Sequence, residues 1–333
     1  MTSSFRKLAF LAGIVSLLSI LTVSACLGEG PRKEPPPPRP RYDLPPELMS
    51  QEFTFAGERV PIERKDVRAR IISQLNFLLL DARSVLTSWL TEEMRYAWIY
   101  REILAKQRVP KEFVLLAPIL SRMKRAGDKG HQGGTWALAK PCGAQQGLVM
   151  SADDWHDDEM DVELSAKCFA AQIKEIRKEL RDGSWLMAAA AYMTSRKTVE
   201  DLKQNWGTTS YWDIPFPENP DRLIPRWIAL WIVHAHRSAY HLNLKPPPPL
   251  TFDHVTGVVL TKDLPVAEIA RITGTPPRHI LELNPKIKPG VGLFKAQQNG
   301  RHTVHTIAAP RGKGDILVKG LREKGFLATD PAK

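Results

Sequence analysis

The sequence predicts a mainly α-helical protein that ends in a smaller α+β part, and three observations predict it. First, apolar residues recur at helical spacing, with Val67, Ile71, Leu75, Leu78 and Ala82 on one stripe and Met94, Ile99, Ile103 and Leu104 continuing the pattern. Second, no β-alternation of comparable length interrupts this region. Third, the consecutive prolines Pro246 to Pro249 are followed by a different pattern, strand, two short helices, strand. At 333 residues, 43% hydrophobic and 25% charged, the chain can bury one sizeable core and one smaller one.

The elements follow in order. Arg6 and Lys7 precede an apolar run over residues 8–25, and Val23-Ser24-Ala25-Cys26 resembles a bacterial lipobox. Residues 1–25 are therefore expected to be a lipoprotein signal peptide, with Cys26 the lipidated first residue of the mature chain. An uncleaved anchor is the alternative, since the run is near the roughly 18-residue lower limit for spanning. Acyl chains would hold the protein at a membrane, each buried methylene adding about 0.8 kcal/mol. Leu27 after the cysteine, rather than aspartate, points to the outer membrane, facing the periplasm. Residues 26–50 contain Pro35 to Pro38 with Arg32, Lys33, Arg39 and Arg41 around them. They read as a polyproline tether, extended at about 3.1 Å per residue. The domain limits that follow are 51–245 for the helical part and 250–326 for the α+β part.

Within the helical part, Pro110 sits near a helix start, with Lys111 and Glu112 in the first turn and Phe113, Leu115, Leu116, Ile119 and Leu120 along an apolar face. Further helices are expected over 165–180 and, rich in alanine, over 185–193. Once Cys26 is lipidated, Cys142 and Cys168 remain in an oxidising compartment. They could pair as a disulfide or stay as two buried thiols. Neither has a partner at metal-ligand spacing, and no metal or cofactor is expected. The formal charge of +11 becomes +9 without Arg6 and Lys7, which suits an anionic partner. No nucleic-acid motif is present, so nucleic acid is excluded as that partner.

Several short segments fall in a recognisable order. Val60-Pro61-Ile62 is followed by Tyr100-Arg101-Glu102-Ile103-Leu104 and Val109-Pro110-Lys111-Glu112-Phe113. Then come Gly134-Thr135-Trp136, the helix over 164–173, Ala190-Ala191-Tyr192, Tyr211-Trp212-Asp213-Ile214-Pro215 and Arg222-Leu223-Ile224-Pro225-Arg226. Together they resemble the membrane-bound lytic murein transglycosylase D-like family of the soluble-lytic-transglycosylase group. The resemblance implies a lysozyme-like helical domain with a sugar-binding groove. It also implies a buried carboxylic acid that protonates the bond between N-acetylmuramic acid and N-acetylglucosamine and leaves a 1,6-anhydro product.

The departures gather around that groove. Leu120 stands where the family carries its catalytic glutamate, in Leu120-Ser121, so no catalytic residue is assigned. Gly-x-Trp-Gln-Phe becomes Gly134-Thr135-Trp136-Ala137-Leu138, Met193 replaces the asparagine after Tyr192, and Leu223 replaces a tyrosine. The remaining groove candidates are Ser121, Trp136, Tyr192 and Trp212, with Tyr211 beside the last; their flat rings suit either sugar stacking or the core. A displaced acid could come from Asp153, Asp154, Asp157, Asp158, Glu159, Asp161 or Glu218, although the acidic run reads equally as a solvated loop and helix start.

In the last region, Val266 to Gly274 and Ile280-Leu281-Glu282-Leu283-Asn284-Pro285 form two helices between strands over 255–260 and 303–308. This resembles a LysM-like module with an insertion over 292–301. It could bind glycan by itself or pack against the helical domain. The resulting expectation is a catalytically degenerate transglycosylase homologue that binds peptidoglycan glycan strands or scaffolds cell-wall proteins. The alternatives are an active transglycosylase with a relocated acid and a structural lipoprotein with envelope protein partners.

Overall fold

Leu115 and Leu116, both buried, belong to one large core that runs from Leu44 to Leu242. The computed structural model describes residues 41–121, 134–138, 142–143, 148, 150–217, 219–298 and 301–327. The expected signal peptide, Cys26, most of the tether and Glu218 lie outside the described residues.

A short helix α1 (Pro46–Met49) and the hairpin β1 (Thr54–Phe55) and β2 (Glu58–Arg59) lead into α2 (Lys65–Asn76). The stripe expected there is buried at Val67, Ile71 and Leu75. It continues through a π-helical turn, Phe77–Asp81, into the long α3 (Arg83–Lys106). A 3-10 turn, Lys111–Leu115, replaces the start of the expected apolar helix, and α4 (Leu116–Ser121) completes it. Helix α5 (Val162–Leu180) begins earlier than expected because Asp161 accepts hydrogen bonds from the Glu163 and Leu164 amides and caps it. Helix α6 (Trp185–Met193) has the expected limits, with Ser184 as its cap. Its buried Ala188 to Ala191 allow close approach to α5 and to α8 (Asn219–Ala235). Between them lies α7 (Arg196–Trp206), which buries only Val199.

Pro225 lies inside α8 and cannot donate to the carbonyl of Asp221. Arg70 Nη2 supplies the missing donor, reaching the Asp221 carbonyl at 3.3 Å and its Oδ1 at 2.7 Å. Pro225 therefore joins α8 to α2 through one guanidinium rather than breaking the helix.

The second part pairs β3 (Phe252–Val259) with β8 (Val304–Pro310), antiparallel, with a register irregularity between Val255 and Val258. Between these strands come β4 (Leu264–Pro265), α9 (Val266–Thr273), α10 (Pro277–Leu283) and β5 (Leu293–Phe294), with β4 paired to β5. A small hairpin, β6 (Gln297–Gln298) and β7 (Arg301–His302), occupies the expected insertion. A further helix, α11 (Gly314–Glu323), packs on α9 and both long strands and was not anticipated. Its Gly320 meets α9 so closely that a Cβ would stand 2.5 Å from Ile272 Cγ2.

The described residues from Arg41 onward belong to one compact unit, and the smaller core contains one residue from far upstream. Trp155 is fully buried among Val255, Ile269, Phe294 and Ile307. The backbone carries it there by strand pairing: Asp157 N donates to Lys286 O at 2.8 Å and Lys288 N to Trp155 O at 2.9 Å. Residues 151–161 thus form a strap from the helical region into the α+β part. A second contact joins them where Trp98 Nε1 donates to Leu250 O at 3.0 Å and Arg95 pairs with Glu282. The α+β part thus packs against the helical part.

Candidate functional site

Four elements converge on the position of interest. Helix α4 packs on a 3-10 turn, Gly134–Trp136, which also touches α5 and a second 3-10 turn, Asp158–Met160. Phe113, just before α4, is anchored by Trp227 at 4.6 Å and Trp185 at 5.4 Å between ring centres. The Trp227 indole also donates to the Glu112 carbonyl at 2.8 Å.

Leu120 is half-buried and packs against the large core, as do Met193 and Leu223. The three positions where polar family residues were expected therefore carry side chains that lie on the apolar interior. Ala137 holds a left-handed backbone, φ 47°, directly after Trp136. Gly134 also has a positive φ, 63°, and a Cβ there would stand 2.0 Å from the Glu159 carbonyl oxygen. Glycine is required by this close approach, which sets the shape of the Gly134-Thr135-Trp136 segment.

The aromatic candidates divide by exposure. Trp136 is fully buried, stacked on Phe169 at 4.2 Å and met edge-on by Tyr100 at 5.3 Å. It is a core residue, one of the two places its ring suited. Trp212 and Tyr211 are buried too, with the Arg70 guanidinium 5.4 Å from each ring centre and the Tyr211 hydroxyl donating to Pro220 O at 2.8 Å. The Trp212 indole likewise packs in the core, against Arg70. Tyr192 alone of these rings stays half-exposed, and its hydroxyl donates to the Trp136 carbonyl at 3.0 Å. Burial, with the negative charge of Glu159 nearby, raises its phenol well above the ordinary range. Ser121 is the last residue of α4.

The acidic run includes the expected helix start at Asp161 and an exposed Asp154, and its other members are held by specific partners. Asp153 Oδ1 accepts from the Trp155 amide at 2.9 Å and lies 2.9 Å from His156 Nδ1. Asp158 Oδ2 accepts from the Ser151 amide at 2.9 Å and lies 3.8 Å from His156 Nε2. Asp157 caps the turn that follows, and Asp161 caps α5 while facing Lys286 at 3.2 Å. Asp154 pairs with Lys295 at 2.6 Å. Burial would raise the Asp153 and Asp158 carboxyls, but backbone amides and His156 outweigh it and hold both below the usual range. Neither therefore holds a proton near neutral pH. Glu159 lies beside Asp158 on the turn packed against Gly134–Trp136, and it is the Glu159 charge that acts on Tyr192.

Cys142 and Cys168 are joined as a disulfide, with Cα atoms 5.6 Å apart. The bond fastens the chain just after the Gly134–Trp136 turn to the buried face of α5. The sequence left the pairing open because 26 positions separate the two cysteines and spacing carries no distance.

Sequence reasoning missed the strap. Its signal was Trp155-His156, one aromatic and one imidazole inside a run of carboxylates, a combination unsuited to a fully solvated loop.

No family model matches the chain. It is similar to membrane-bound lytic murein transglycosylase D from two strains of Escherichia coli, 24% identical in each case over 198 residues, or 57% of this chain and 42% of the relative. The chain thus spans about two fifths of the length of the curated relatives it matches. At that distance the similarity establishes a remote relationship to that family, consistent with the helical domain and the small α+β module.

Proposed function

We propose that this remote relative of lytic murein transglycosylase D binds peptidoglycan glycan strands without cleaving them, as a lipoprotein anchored through Cys26 to the outer membrane and facing the periplasm. The observation that supports the reading is Leu120, half-buried on the apolar core, where the resemblance places the family's acid. A leucine can neither donate a proton to a glycosidic oxygen nor take one from a sugar hydroxyl. Loss of such an acid removes about 10² to 10⁴ in rate by itself. Met193 and Leu223 pack on the same core, so three polar positions are replaced together. The +11 charge of the chain suits an anionic wall polymer, and scaffolding of other envelope proteins is compatible with the same surface.

The test is incubation of the purified mature protein with sacculi, followed by sedimentation and product analysis. Co-sedimentation without 1,6-anhydro-muropeptides is the expected result; release of those products refutes the loss of catalysis.

A second reading, an active enzyme with a relocated acid, is favoured at one position. Glu159 lies on the turn against Gly134–Trp136 and close enough to influence Tyr192. If products form, Glu159→Gln should abolish them under this reading, whereas Asp153 and Asp158 are held ionised and cannot serve as the acid.

A further inference from the structure

Among the described residues, the rings expected to stack on sugar are buried or half-buried, and two indoles are exposed elsewhere, Trp98 at 39% and Trp206 at 56%. Trp206 ends a helix that buries only Val199. Trp98 lines a cleft between α3 and α5. The helical repeat explains how the cleft is made. Trp98, Glu102 and Lys106 recur every four residues along one face of α3, and Glu163 and Lys167 face them from α5. Ile99 and Ile103, both buried, close the bottom.

The indole is held in place before any ligand arrives. Its Nε1 donates to the Leu250 carbonyl at 3.0 Å, and its ring centre lies 6.0 Å from that of Phe252. A ring fixed in this way loses little rotamer freedom on binding. The polar rim offers both signs of charge. Lys106 pairs with Glu102 at 2.5 Å, and Lys167 with Glu163 at 3.3 Å. The exposed Lys106–Glu102 pair contributes little, so a ligand can replace it at small cost. Glu163 is partly buried and is also held by His254 Nε2 at 2.8 Å, which fixes its carboxylate at the rim.

We propose that this cleft binds an acidic amino-sugar oligosaccharide, the chemistry of a peptidoglycan glycan strand. The Trp98 face takes the C–H face of a pyranose, the Glu102 and Glu163 carboxylates accept from its hydroxyl and amide hydrogens, and Lys106 and Lys167 pair with its carboxylates. A polyanion without donors is disfavoured by the two rim glutamates. The inference rests on the peptidoglycan-binding reading and places that binding away from Leu120.

The test uses full-length mature protein, sacculus sedimentation, and calorimetric titration with solubilised glycan strands. Trp98→Ala and, separately, the charge reversal Lys167→Glu should each weaken binding about tenfold, the scale of one lost ring contact. Trp206→Ala should bind as the parent does. Because Trp98 also touches Phe252, thermal melting accompanies each variant, and the exposed Lys167 supplies the decisive result if Trp98→Ala misfolds. Parent protein that sediments with sacculi while folded Lys167→Glu and Trp98→Ala bind unchanged overturns the cleft and leaves the peptidoglycan reading standing. Parent protein that binds neither sacculi nor strands overturns both.

Discussion

His156 Nδ1 lies 2.9 Å from Asp153 Oδ1, and this contact sits at the centre of the strap that enters the smaller core. Burial pulls the imidazole down, but Asp158 and then Asp153 outweigh it and hold its pKa above the usual histidine range. A raised histidine stabilises the fold fully below the unfolded value, about 6.5, and that stabilisation is lost as pH rises through the folded value. The two lowered carboxyls act oppositely: their contribution is present above their unfolded value and lost as pH falls through the lowered one. Between those limits the cluster is at full strength. Thermal melts should show stability falling on the alkaline side in the parent, and His156→Asn should remove that slope at a cost of about 2 kcal/mol near neutral pH. Superimposable profiles for the two proteins would show that the imidazole is not charged in the fold.

Trp155→Ala should be among the most destabilising single changes available in the strap. The indole is 1% exposed and fills the smaller core between Phe294 and His305. Truncating a buried tryptophan costs about 3–5 kcal/mol. Calorimetry should resolve a lowered transition for the α+β part, and hydrogen exchange at Lys286 to Lys288 should accelerate, because their partner strand is displaced. An unchanged melting curve would contradict the burial.

Removing the disulfide should loosen the neighbourhood of Leu120. Closing a loop with a sequence separation of 26 is worth about 3 kcal/mol by restricting the unfolded chain. Cys142→Ser with Cys168→Ser, or reduction of the parent, should lower the melting temperature in step. Free-thiol titration of the denatured, unreduced protein checks the bond directly, and two additional reactive thiols would disprove it.

Glu58 separates two effects that are usually merged. Its carboxylate accepts from the Ser184 hydroxyl at 2.9 Å and from the Trp185 and Leu186 amides at the start of α6. Burial nevertheless raises its pKa above the usual range, against those hydrogen bonds and the charge of Arg177. A raised acid stabilises below its unfolded value, about 4.3, and loses that contribution as pH rises through the folded value. Glu58→Gln should keep an acceptor and flatten that acid-side dependence with little change near neutral pH. Glu58→Ala should cost about 2 kcal/mol by orphaning the amides. Equal losses for both variants would mean the charge, not the acceptor, matters.

Much of this fold was legible because burial follows period. Val67, Ile71 and Leu75 are spaced for one helix face and are buried on it, and the alanines of α6 mark a helix in close contact. What escaped was decided by residues distant in sequence. Trp136 and Trp212 are written like groove aromatics, yet Phe169 and Arg70 enclose them. Pattern along one strand or helix says nothing about which rings another element covers. Trp98 escaped for the converse reason: its neighbours on α3 alternate between core and surface, and the open side is set by α5. Leu120 was readable as a substitution, but its half-buried seat on the core required the packing of α4.

The strap also changes what the Pro246 to Pro249 run can do. A linker that is the sole connection between two bodies acts as a hinge, and cutting it releases them. Here Trp155 is threaded into the far body from a point some ninety positions upstream and Arg95 pairs with Glu282 across the same junction, so the run is one of several attachments. A protease that nicks the prolines would leave a clasped pair of fragments, one particle by gel filtration and two bands after denaturation.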